Sequence, residues 1–386
     1  MKKTAERRLR VLHLGRFHDT YAVSGGIGRH VSELLTALAG RIDVDNLVAA
    51  PGWRGGTLRC GGYRVFRVPC LGVIASTAIA PGMIRVAQRL HAARPYDIVH
   101  LHFPDPMGQL VAEALPREVR RVVTWHSDIV RQRRLLRLYR PWLERFLRDV
   151  DCVIASSVNL FQTSQQLAGV PPERRVVIPF GIDYARFAAP AVLQRAEELR
   201  KTIDRRQVVV FAIGRHVYYK GFDHLIRAIA SLPQAYLVLG GSGPLTTELK
   251  RLAQSSGITH RVRFTGPLGE HELAAWFHAC DIFCLPSSSQ AETFGLVQLE
   301  AMGCGKPVVC TRLGTGVNEV CVEGVTGLTA EPGDATSLAD CIGRLIADGE
   351  LRRRLGSAGR QRAHEMFSAQ RMAEQTLAIY RRIIER

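Results

Sequence analysis

Long apolar runs are missing from this chain of 386 residues, and the longest are far shorter than a bilayer-spanning helix requires. The basic stretch Met1–Arg10 leads into Val11–Gly15, which is too short and too polar for the core of a secretory signal. We therefore expect a cytoplasmic protein that meets a membrane only at its surface.

Paired cysteines are also missing. The nine cysteines include no CxxC pair and no metal-type spacing, and Cys152, Cys284 and Cys310 lie in apolar, strand-like runs. Such cysteines are typical of reduced, buried thiols. The sequence thus predicts no disulfide framework, and it offers no cysteine cluster for a metal or cofactor.

Acidic residues are scarce relative to basic ones, and the net charge of +17 indicates an anionic partner. Part of the excess lies in the arginine-rich run Arg131–Arg148, where leucine and aromatic residues are interleaved. Three interpretations stay open: an ordinary solvated helix face, a surface that docks on an anionic membrane, and a nucleic-acid site. Pro141 is expected to interrupt any single helix there.

Internal repeats and low-complexity tracts are absent, and the length and the hydrophobic content of 46% fit two domains. Strand-like and helical segments alternate along the chain, with a pause near Gly181–Asp183. We predict an α/β protein whose two Rossmann-like domains face a central cleft. The predicted domains span 1–185 and 186–365, and a helix at 366–386 is expected to pack back on the first.

A glycine-rich stretch follows the first predicted strand, which ends at Gly15. Gly26 and Gly28 lie in the predicted loop, and the helical pattern of Arg29–Ala39 comes next. A strand, a glycine turn and a helix in this order let the backbone approach a phosphate. A plain tight turn explains the glycines equally well.

Two cations lie where the second domain begins, in the segment Gly214–Gly221 between a predicted strand and helix. Arg215 can direct two donors to phosphate oxygens, and Lys220 adds a compact charge. Together they could neutralise a diphosphate leaving group without a metal. The alternative is that each forms a surface ion pair.

The segment Asp281–Pro307 is predicted to run from a buried strand through a polar loop into a helix that begins near Phe294. The backbone N–H groups of Phe294, Gly295 and Leu296 would then face an anion at the helix start. Glu292 precedes that start, and Glu300 lies about two turns inside the predicted helix. Two carboxylates at different depths suit a ligand with two sets of hydroxyls, although Glu292 could instead cap the helix.

Several motifs together resemble glycosyltransferase family 4, and the resemblance spans essentially the whole chain. They are Arg215 and Lys220 in GRHVYYKG, Gly240–Pro244, Phe264–Gly266, Glu292 and Glu300 in ETFGLVQLEAMGCGKPVV, and Glu319 with Gly324–Leu328. The resemblance implies a GT-B fold and transfer with retention from a nucleotide-sugar donor held by the second domain.

The same resemblance implies roles for individual residues. Glu300 would hold the ribose, and Glu292 with the backbone of 294–296 would hold the donor sugar. Arg215 and Lys220 would bind the diphosphate, and the loop at Gly26 would approach it. His126, at the end of a predicted strand, would position the sugar, and the donor phosphate itself would accept the proton.

Weaker candidates and departures from the family pattern accompany these roles. Asp105, Asp128 and His102 are acceptor-side candidates near other strand ends. His216 stands where the family usually has an aliphatic residue, and Asn318 stands where proline is common.

Two Asp-Val-Asp triplets, Asp43–Asp45 and Asp149–Asp151, resemble the metal motif of other glycosyltransferases. Both lie just ahead of predicted strands rather than in loops facing a phosphate site, so we expect no metal there.

The combined expectation is a metal-independent hexosyltransferase of lipopolysaccharide or other cell-envelope polysaccharide synthesis. Its donor would be GDP-mannose or GDP-rhamnose, and its acceptor a lipid-linked saccharide at the inner face of the cytoplasmic membrane. A UDP-sugar donor, a nucleotide-sugar epimerase, and a nucleic-acid or membrane-binding protein without turnover are the alternatives. Nucleic acid is not expected as a partner of the enzyme.

Overall fold

A computed structural model of the chain describes residues 8–17, 25–52, 55–129 and 132–386. The chain divides into two compact units, one made of 1–181 with 369–386 and the other of 182–368. The boundaries predicted at 185 and 365 lie four and three residues from those divisions. No helix within the described ranges is long and apolar enough to cross a membrane.

The first unit is built on an eight-stranded sheet with the order β10-β9-β8-β7-β1-β2-β4-β3. Its strands pair in parallel except for β3, which is antiparallel to β4. The strands are β1 Arg10–Gly15, β2 Asp43–Ala50, β3 Gly56–Cys60, β4 Tyr63–Pro69, β7 Ile98–Phe103, β8 Arg120–Trp125, β9 Cys152–Ala155 and β10 Arg175–Val177, and a separate hairpin is formed by β5 Gly72–Ile74 and β6 Thr77–Ile79.

Helices cover both faces of this sheet. They are α1 Gly25–Leu38, α2 Gly82–Ala93, α3 Pro106–Glu113, α4 Arg133–Asp149 and α5 Val158–Thr163. Successive residues of β1 point to opposite faces, as strand geometry requires, so Val11 packs with α1 while Leu12 packs with α2 and α3. Burial on both faces is the usual environment of parallel strands.

The second unit is a six-stranded parallel sheet with the order β13-β12-β11-β14-β15-β16. Its strands are β11 Val208–Ile213, β12 Ala235–Gly240, β13 Val262–Gly266, β14 Ile282–Leu285, β15 Val308–Thr311 and β16 Gly327–Ala330. Its helices are α6 Pro190–Lys201, α7 Phe222–Ala230, α8 Thr246–Ser255, α9 Glu270–Ala279, α10 Leu296–Gly303, α11 Gly316–Val320, α12 Ala335–Ala347 and α13 Gly349–Met366. The strand order reverses between β11 and β14, which is where such sheets bind ligands.

The last helix, α14 Ala369–Ile384, belongs to the first unit. Its buried residues Met372, Tyr380 and Ile383 pack in one cluster with Val31 and Leu35 of α1. The chain therefore completes the core of the first unit only after passing through the whole second unit.

Two local predictions were wrong. Pro141 lies inside the single helix α4, because a proline removes one backbone donor while buried Leu143 and Phe146 still anchor the helix. Helix α1 begins at Gly25, so Gly26 and Gly28 lie in its first turn rather than in a loop.

Candidate functional site

A short loop joins β11 to α7 at the carboxyl end of the second sheet. It contains a 3₁₀ turn at Tyr218–Lys220 and ends at Gly221, which caps α7 with a left-handed φ of 64°. A Cβ at Gly221 would lie 2.0 Å from the carbonyl oxygen of Pro286, at the end of β14. Glycine at this position therefore lets the β11 loop lie against the β14 loop.

The Gly221→Ala variant is expected to lose about 3 kcal/mol of unfolding free energy, because alanine meets both an unfavourable φ and a backbone clash. Urea denaturation of the variant and the wild type measures the difference. Gly269→Ala is the matched control, since a Cβ there has no neighbour within 4 Å, and it should change stability by less than about 1 kcal/mol. Equal midpoints for Gly221→Ala and wild type would contradict the close approach.

The β11 loop is also held to the glycine-rich loop that follows β12. His216 is fully buried, and its ring nitrogens lie 2.8 Å from Thr246 Oγ1 and 3.3 Å from the carbonyl oxygen of Gly240. Cβ atoms at Gly241 and Gly243 would lie 2.1 Å and 2.5 Å from backbone atoms of the β11 loop. Burial lowers the pKa of His216, so the ring is neutral at pH 7. The histidine that departs from the family pattern thus joins the two loops.

Lys220 and Glu292 form an ion pair at the centre of this region. Lys220 Nζ donates to Glu292 Oε2 over 2.5 Å, and each side chain is only 12% exposed. Ser287 Oγ donates to the same carboxylate oxygen over 3.0 Å. The prediction that these two charged residues share one site is consistent with this geometry.

The pair keeps Lys220 charged. Burial alone would lower the pKa of its ammonium group, but the charge of Glu292 and the hydrogen bond from Lys220 outweigh burial, and the net pKa is raised. A lysine held charged away from water acts strongly on a nearby anion because screening is weak there. This is the electrostatic requirement for stabilising a diphosphate.

Arg215 lies in the same loop but is exposed, and within the described residues its side chain has no hydrogen-bond or ion-pair partner. Its backbone is fixed on one side by Gly214 N–H donating to Gly240 and on the other by His216 N–H donating to Ser242. The guanidinium therefore projects from a fixed backbone while its long side chain keeps rotamer freedom.

Helix α10 begins at Leu296, two residues later than predicted, because Gly295 adopts a left-handed φ of 69° and serves as the cap. A Cβ at Gly295 would lie 2.6 Å from a methyl group of Leu285. Thr315 Oγ1 donates to the backbone carbonyl of Glu292 over 2.9 Å. The start of α10 and the backbone of Glu292 are thus both fixed.

Glu300 lies one turn inside α10, rather than two, because the helix begins late. The residue is 7% exposed, and its Oε1 accepts a hydrogen bond from Arg186 Nη2 over 2.8 Å. Arg186 carried no signal in the sequence, since it lies in a short 3₁₀ segment far from every motif. A carboxylate has lone pairs beyond those this bond uses, so it can also accept from two hydroxyls.

Asn318 has a structural explanation as well. Its Oδ1 accepts from the backbone N–H groups of Leu313 and Gly314 over 2.8 Å and 3.0 Å, and its Nδ2 donates to the carbonyl of Thr311 over 3.0 Å. The side chain orders the loop after β15, and proline could not replace it because its side chain has no donor or acceptor group.

In the first unit, His126 follows β8 and ends a chain of buried imidazole rings. Its Nε2 lies 3.2 Å from His102 Nδ1, and His102 Nε2 lies 3.0 Å from His13 Nδ1. The chain continues through Tyr380 Oη, which lies 3.2 Å from His13 Nε2 and 2.5 Å from His100 Nδ1. The four histidines are between 0% and 4% exposed.

The sequence predicted roles for His126 and His102 but not for His13, His100 or Tyr380. A usable signal existed in the His-Leu-His pattern of β7, because residues two apart share one face of a strand. The pairing of His13 with His100 follows from the register of β1 against β7, which no local pattern encodes. Tyr380 lies on α14, far from these histidines in the sequence, so no local pattern predicts its contact with them.

The two acceptor-side aspartates have different surroundings. Asp128 accepts from Trp125 Nε1 over 2.9 Å and from Ser164 Oγ over 2.6 Å, so it anchors the loop after β8. Asp105 is 3% exposed, and burial raises its pKa to about 6. Hydrogen bonds from the backbone N–H groups of residues 107 and 108 act in the opposite direction, but their effect on the pKa is smaller. Its Oδ2 has no partner within the described ranges.

Both Asp-Val-Asp triplets contribute carboxylates to the fold. Asp45, in β2, accepts hydrogen bonds from Arg10, Arg64 and the hydroxyl of Tyr96. Asp151 accepts from Arg120 Nη1 over 3.2 Å and from the backbone N–H of Arg121 over 2.8 Å. These hydrogen bonds give both aspartates structural roles.

Comparison with known proteins places the chain in a family. Residues 24–186 match the model described as Glycosyltransferase Family 4, and residues 194–362 match that of Glycosyl transferases group 1. The O-antigen chain mannosyltransferase C of Escherichia coli is 33% identical, covering 98% of this chain and 99% of that protein. The D-rhamnosyltransferase WbpZ of Pseudomonas aeruginosa is 31% identical, covering 94% and 93%.

A solved structure supports the same assignment. The sucrose-phosphate synthase of Thermosynechococcus elongatus matches with a TM-score of 0.83 and 25% identity, covering 98% of this chain and all of that one. The predicted fold class is confirmed as a GT-B arrangement of two Rossmann-like domains. The chain belongs to glycosyltransferase family 4.

Proposed function

We propose that this protein transfers a hexose, with retention of configuration and without a metal, from a GDP-sugar to a lipid-linked saccharide of cell-envelope polysaccharide synthesis. The observation that carries the proposal is the buried ion pair of Lys220 and Glu292, which lies next to the glycine-capped start of α10. A nucleotide diphosphate leaving group gains negative charge as the glycosidic bond breaks, and a fixed ammonium stabilises that charge.

On the donor side, we assign the diphosphate to Lys220 and Arg215 and the sugar hydroxyls to Glu292 with the backbone of 294–296. Glu300 would hold the ribose in addition to its bond from Arg186. Gly26 and Gly28, in the first turn of α1, would approach the diphosphate through backbone N–H groups. His126 would position the sugar, and the donor phosphate would accept the acceptor's proton.

The choice of donor rests on the relatives. The two described above are a mannosyltransferase and a D-rhamnosyltransferase, and a mycobacterial relative with 30% identity is named as GDP-mannose-dependent. These names favour GDP-mannose or GDP-rhamnose over a UDP-sugar. The name of the first relative, an O-antigen chain mannosyltransferase, also supports a saccharide acceptor of the cell envelope.

A donor screen tests the reaction. Purified protein in excess EDTA is incubated with GDP-mannose, GDP-rhamnose, UDP-glucose or UDP-N-acetylglucosamine, with and without a lipid-linked saccharide extract. We expect sugar transfer only when both an acceptor and a GDP-sugar are present, and we expect the product to have the same anomeric configuration as the donor. Donor rearrangement without acceptor would indicate an epimerase, and loss of turnover in EDTA would contradict metal independence.

We also propose that an anionic membrane surface is a partner, and two neighbouring elements of the first unit support it. Helix α4 buries Leu143 and Phe146 but leaves Leu138 81% exposed. Its exposed arginines are Arg134, Arg137, Arg140, Arg145 and Arg148. Each basic side chain near an anionic surface contributes about 1 kcal/mol of attraction.

The β5–β6 hairpin supplies an apolar tip beside this helix. Leu71, Val73 and Ile74 are 62%, 52% and 67% exposed. Gln132 Nε2, just before α4, donates to the carbonyl of Ala75 in the hairpin turn over 3.1 Å. Arginines next to exposed aliphatic side chains match a lipid surface, which offers anionic headgroups and an apolar boundary layer.

The double substitution Val73→Asp/Ile74→Asp should reduce flotation with phosphatidylglycerol vesicles about tenfold or more, because it removes apolar burial and adds negative charge. The matched control, Leu193→Asp/Val325→Asp, makes the same change at exposed positions of the second unit. It should float like the wild type. Equal flotation with neutral and anionic vesicles, or none by the wild type, would contradict the membrane partner.

A further inference from the structure

We propose that His30, His102 and His126 form a three-nitrogen site for a borderline transition-metal ion such as Zn²⁺, and that its occupancy inhibits transfer. One ring nitrogen from each of the three residues lies within 4.8 Å of the other two. The rings come from different elements, since His30 lies on α1, His102 on β7 and His126 directly after β8. Residues distant in sequence thus converge on one point.

His30 is the residue that points to a ligand. It is 3% exposed, and neither of its ring nitrogens has a hydrogen-bond partner among the described residues. Its ring packs against Phe180 at 4.0 Å and against His126 at 4.9 Å between centroids. A buried polar group without a partner is costly, and a bound ion is one of the few things that remove that cost.

The geometry of the other two ligands fits a metal as well as it fits a hydrogen bond. His102 Nδ1 and His126 Nε2 are 3.2 Å apart. Two nitrogens bound tetrahedrally to zinc at about 2.0 Å each are separated by about 3.3 Å. Burial lowers the pKa of all three imidazoles, so their lone pairs are free of protons at neutral pH.

A second trio, His13, His100 and His102, is less suited to an ion. Both ring nitrogens of His100 have hydrogen-bond partners, Tyr380 Oη at 2.5 Å and Thr124 Oγ1 at 2.7 Å. Binding a metal there would break one of these bonds, whereas at the preferred site the ion replaces only the hydrogen bond between His102 and His126, and His30 has none to lose. In the preferred site His13 remains bonded to His102 Nε2, and this contact orients the His102 ring.

The inhibitory effect rests on the proposed function. Three neutral histidines would fill three of the four positions around the ion and leave the fourth for water or an anion. The bound ion would add a positive charge to the site. It would also hold the His126 ring in place through its Nε2. His126 could then no longer adjust to the sugar it is assigned to position. Metal binding and transfer therefore compete for the same ring.

The experiment uses the full-length protein stripped with chelator and titrated with Zn²⁺ against a chromophoric chelator, and with Co²⁺ for its absorption spectrum. We expect one saturable site per chain, a tetrahedral cobalt spectrum without thiolate charge-transfer bands, and inhibition of transfer that chelator reverses. His30→Ala should weaken Zn²⁺ binding about 100-fold, keep the metal-free rate, and escape inhibition.

His30→Phe provides a second variant that keeps the packing against Phe180, and exposed His271→Ala is the matched control that should bind like the wild type. Absence of a saturable site, or unchanged affinity in both His30 variants while thermal unfolding shows them folded, would overturn the proposal. The binding measurement needs no donor, so it stands even if no tested nucleotide sugar is turned over. Binding without inhibition would overturn the inhibitory part.

Discussion

Replacing Lys220 by methionine is expected to lower kcat/KM about 10³-fold while the protein stays folded. The substitution removes the charge that lies 2.5 Å from Glu292 and leaves that carboxylate 12% exposed with Ser287 as its remaining described partner. Loss of one preorganised group that stabilises transition-state charge costs about 10²- to 10³-fold, and a partly buried, unpaired carboxylate adds to the loss.

Initial rates with varied donor concentration measure the effect, with thermal unfolding recorded in parallel. Lys250→Met is the control, because this lysine is exposed on α8, and its rate should match the wild type. A Lys220→Met rate within tenfold of the wild type would contradict the assignment of the ammonium to the leaving group. A second substitution, Glu292→Gln, should add less than its single effect to Lys220→Met, since contacting residues are not additive.

The second large effect is acid unfolding of the first unit, expected between about pH 6 and pH 5 in chelator-stripped protein. Five buried histidines have a lowered pKa, with burial as the main cause; they are His13, His30, His100, His102 and His126. The pKa of His102 is lowered to about 3. In the unfolded chain each ring titrates near pH 6.5.

The sign follows from proton binding. Below pH 6.5 the unfolded state binds protons on these histidines that the folded state does not bind. The free energy of unfolding is therefore at its full value above pH 6.5, and it falls as the pH drops below that value. Each histidine contributes about 1.4 kcal/mol per pH unit, and five together approach about 7 kcal/mol at pH 5.5. That is comparable to the whole stability of a typical domain.

Urea denaturation at several pH values tests this result through the fluorescence of Trp125, which is fully buried in the first unit. The slope of unfolding free energy against pH should correspond to three or four protons, because the raised pKa of Asp105 lets the folded state take up one proton over the same range. His100→Gln should reduce it by about one proton, because glutamine can hydrogen-bond but does not titrate. A slope of one proton or fewer in the wild type would show that the rings are protonated in the fold.

The alternating architecture and the main charged pair were accessible from the sequence. Apolar runs of four to six residues separated by helical patterns predict buried parallel strands, and the β11 and β14 motifs lie at the ends of such runs. Because the carboxyl ends of neighbouring parallel strands meet at one edge, Lys220 and Glu292 could be predicted to lie together. Their contact is therefore a consequence of topology that local patterns reveal.

Other parts of the site depend on information that local patterns do not hold. The bond between Arg186 and Glu300 joins positions 114 residues apart and needs the packing of α10 against the start of the second unit. The histidine cluster needs the register of three strands and the return of α14. At Pro141 the local pattern was misleading instead. Proline predicts a break in the helix, but the packing of the buried face of α4 keeps the helix continuous.

Helix α14 packs on the first unit although it is the last helix of the chain, and this has a consequence for synthesis on the ribosome. The helix that covers the apolar face of α1, and the hydroxyl that bonds His13 and His100, become available only when the segment containing Tyr380 has emerged. A nascent chain can therefore form the second unit first, although domains usually form in the order of translation. Until translation reaches α14, the earlier half of the polypeptide exposes an uncovered apolar face, and chaperones are expected to bind it during that interval.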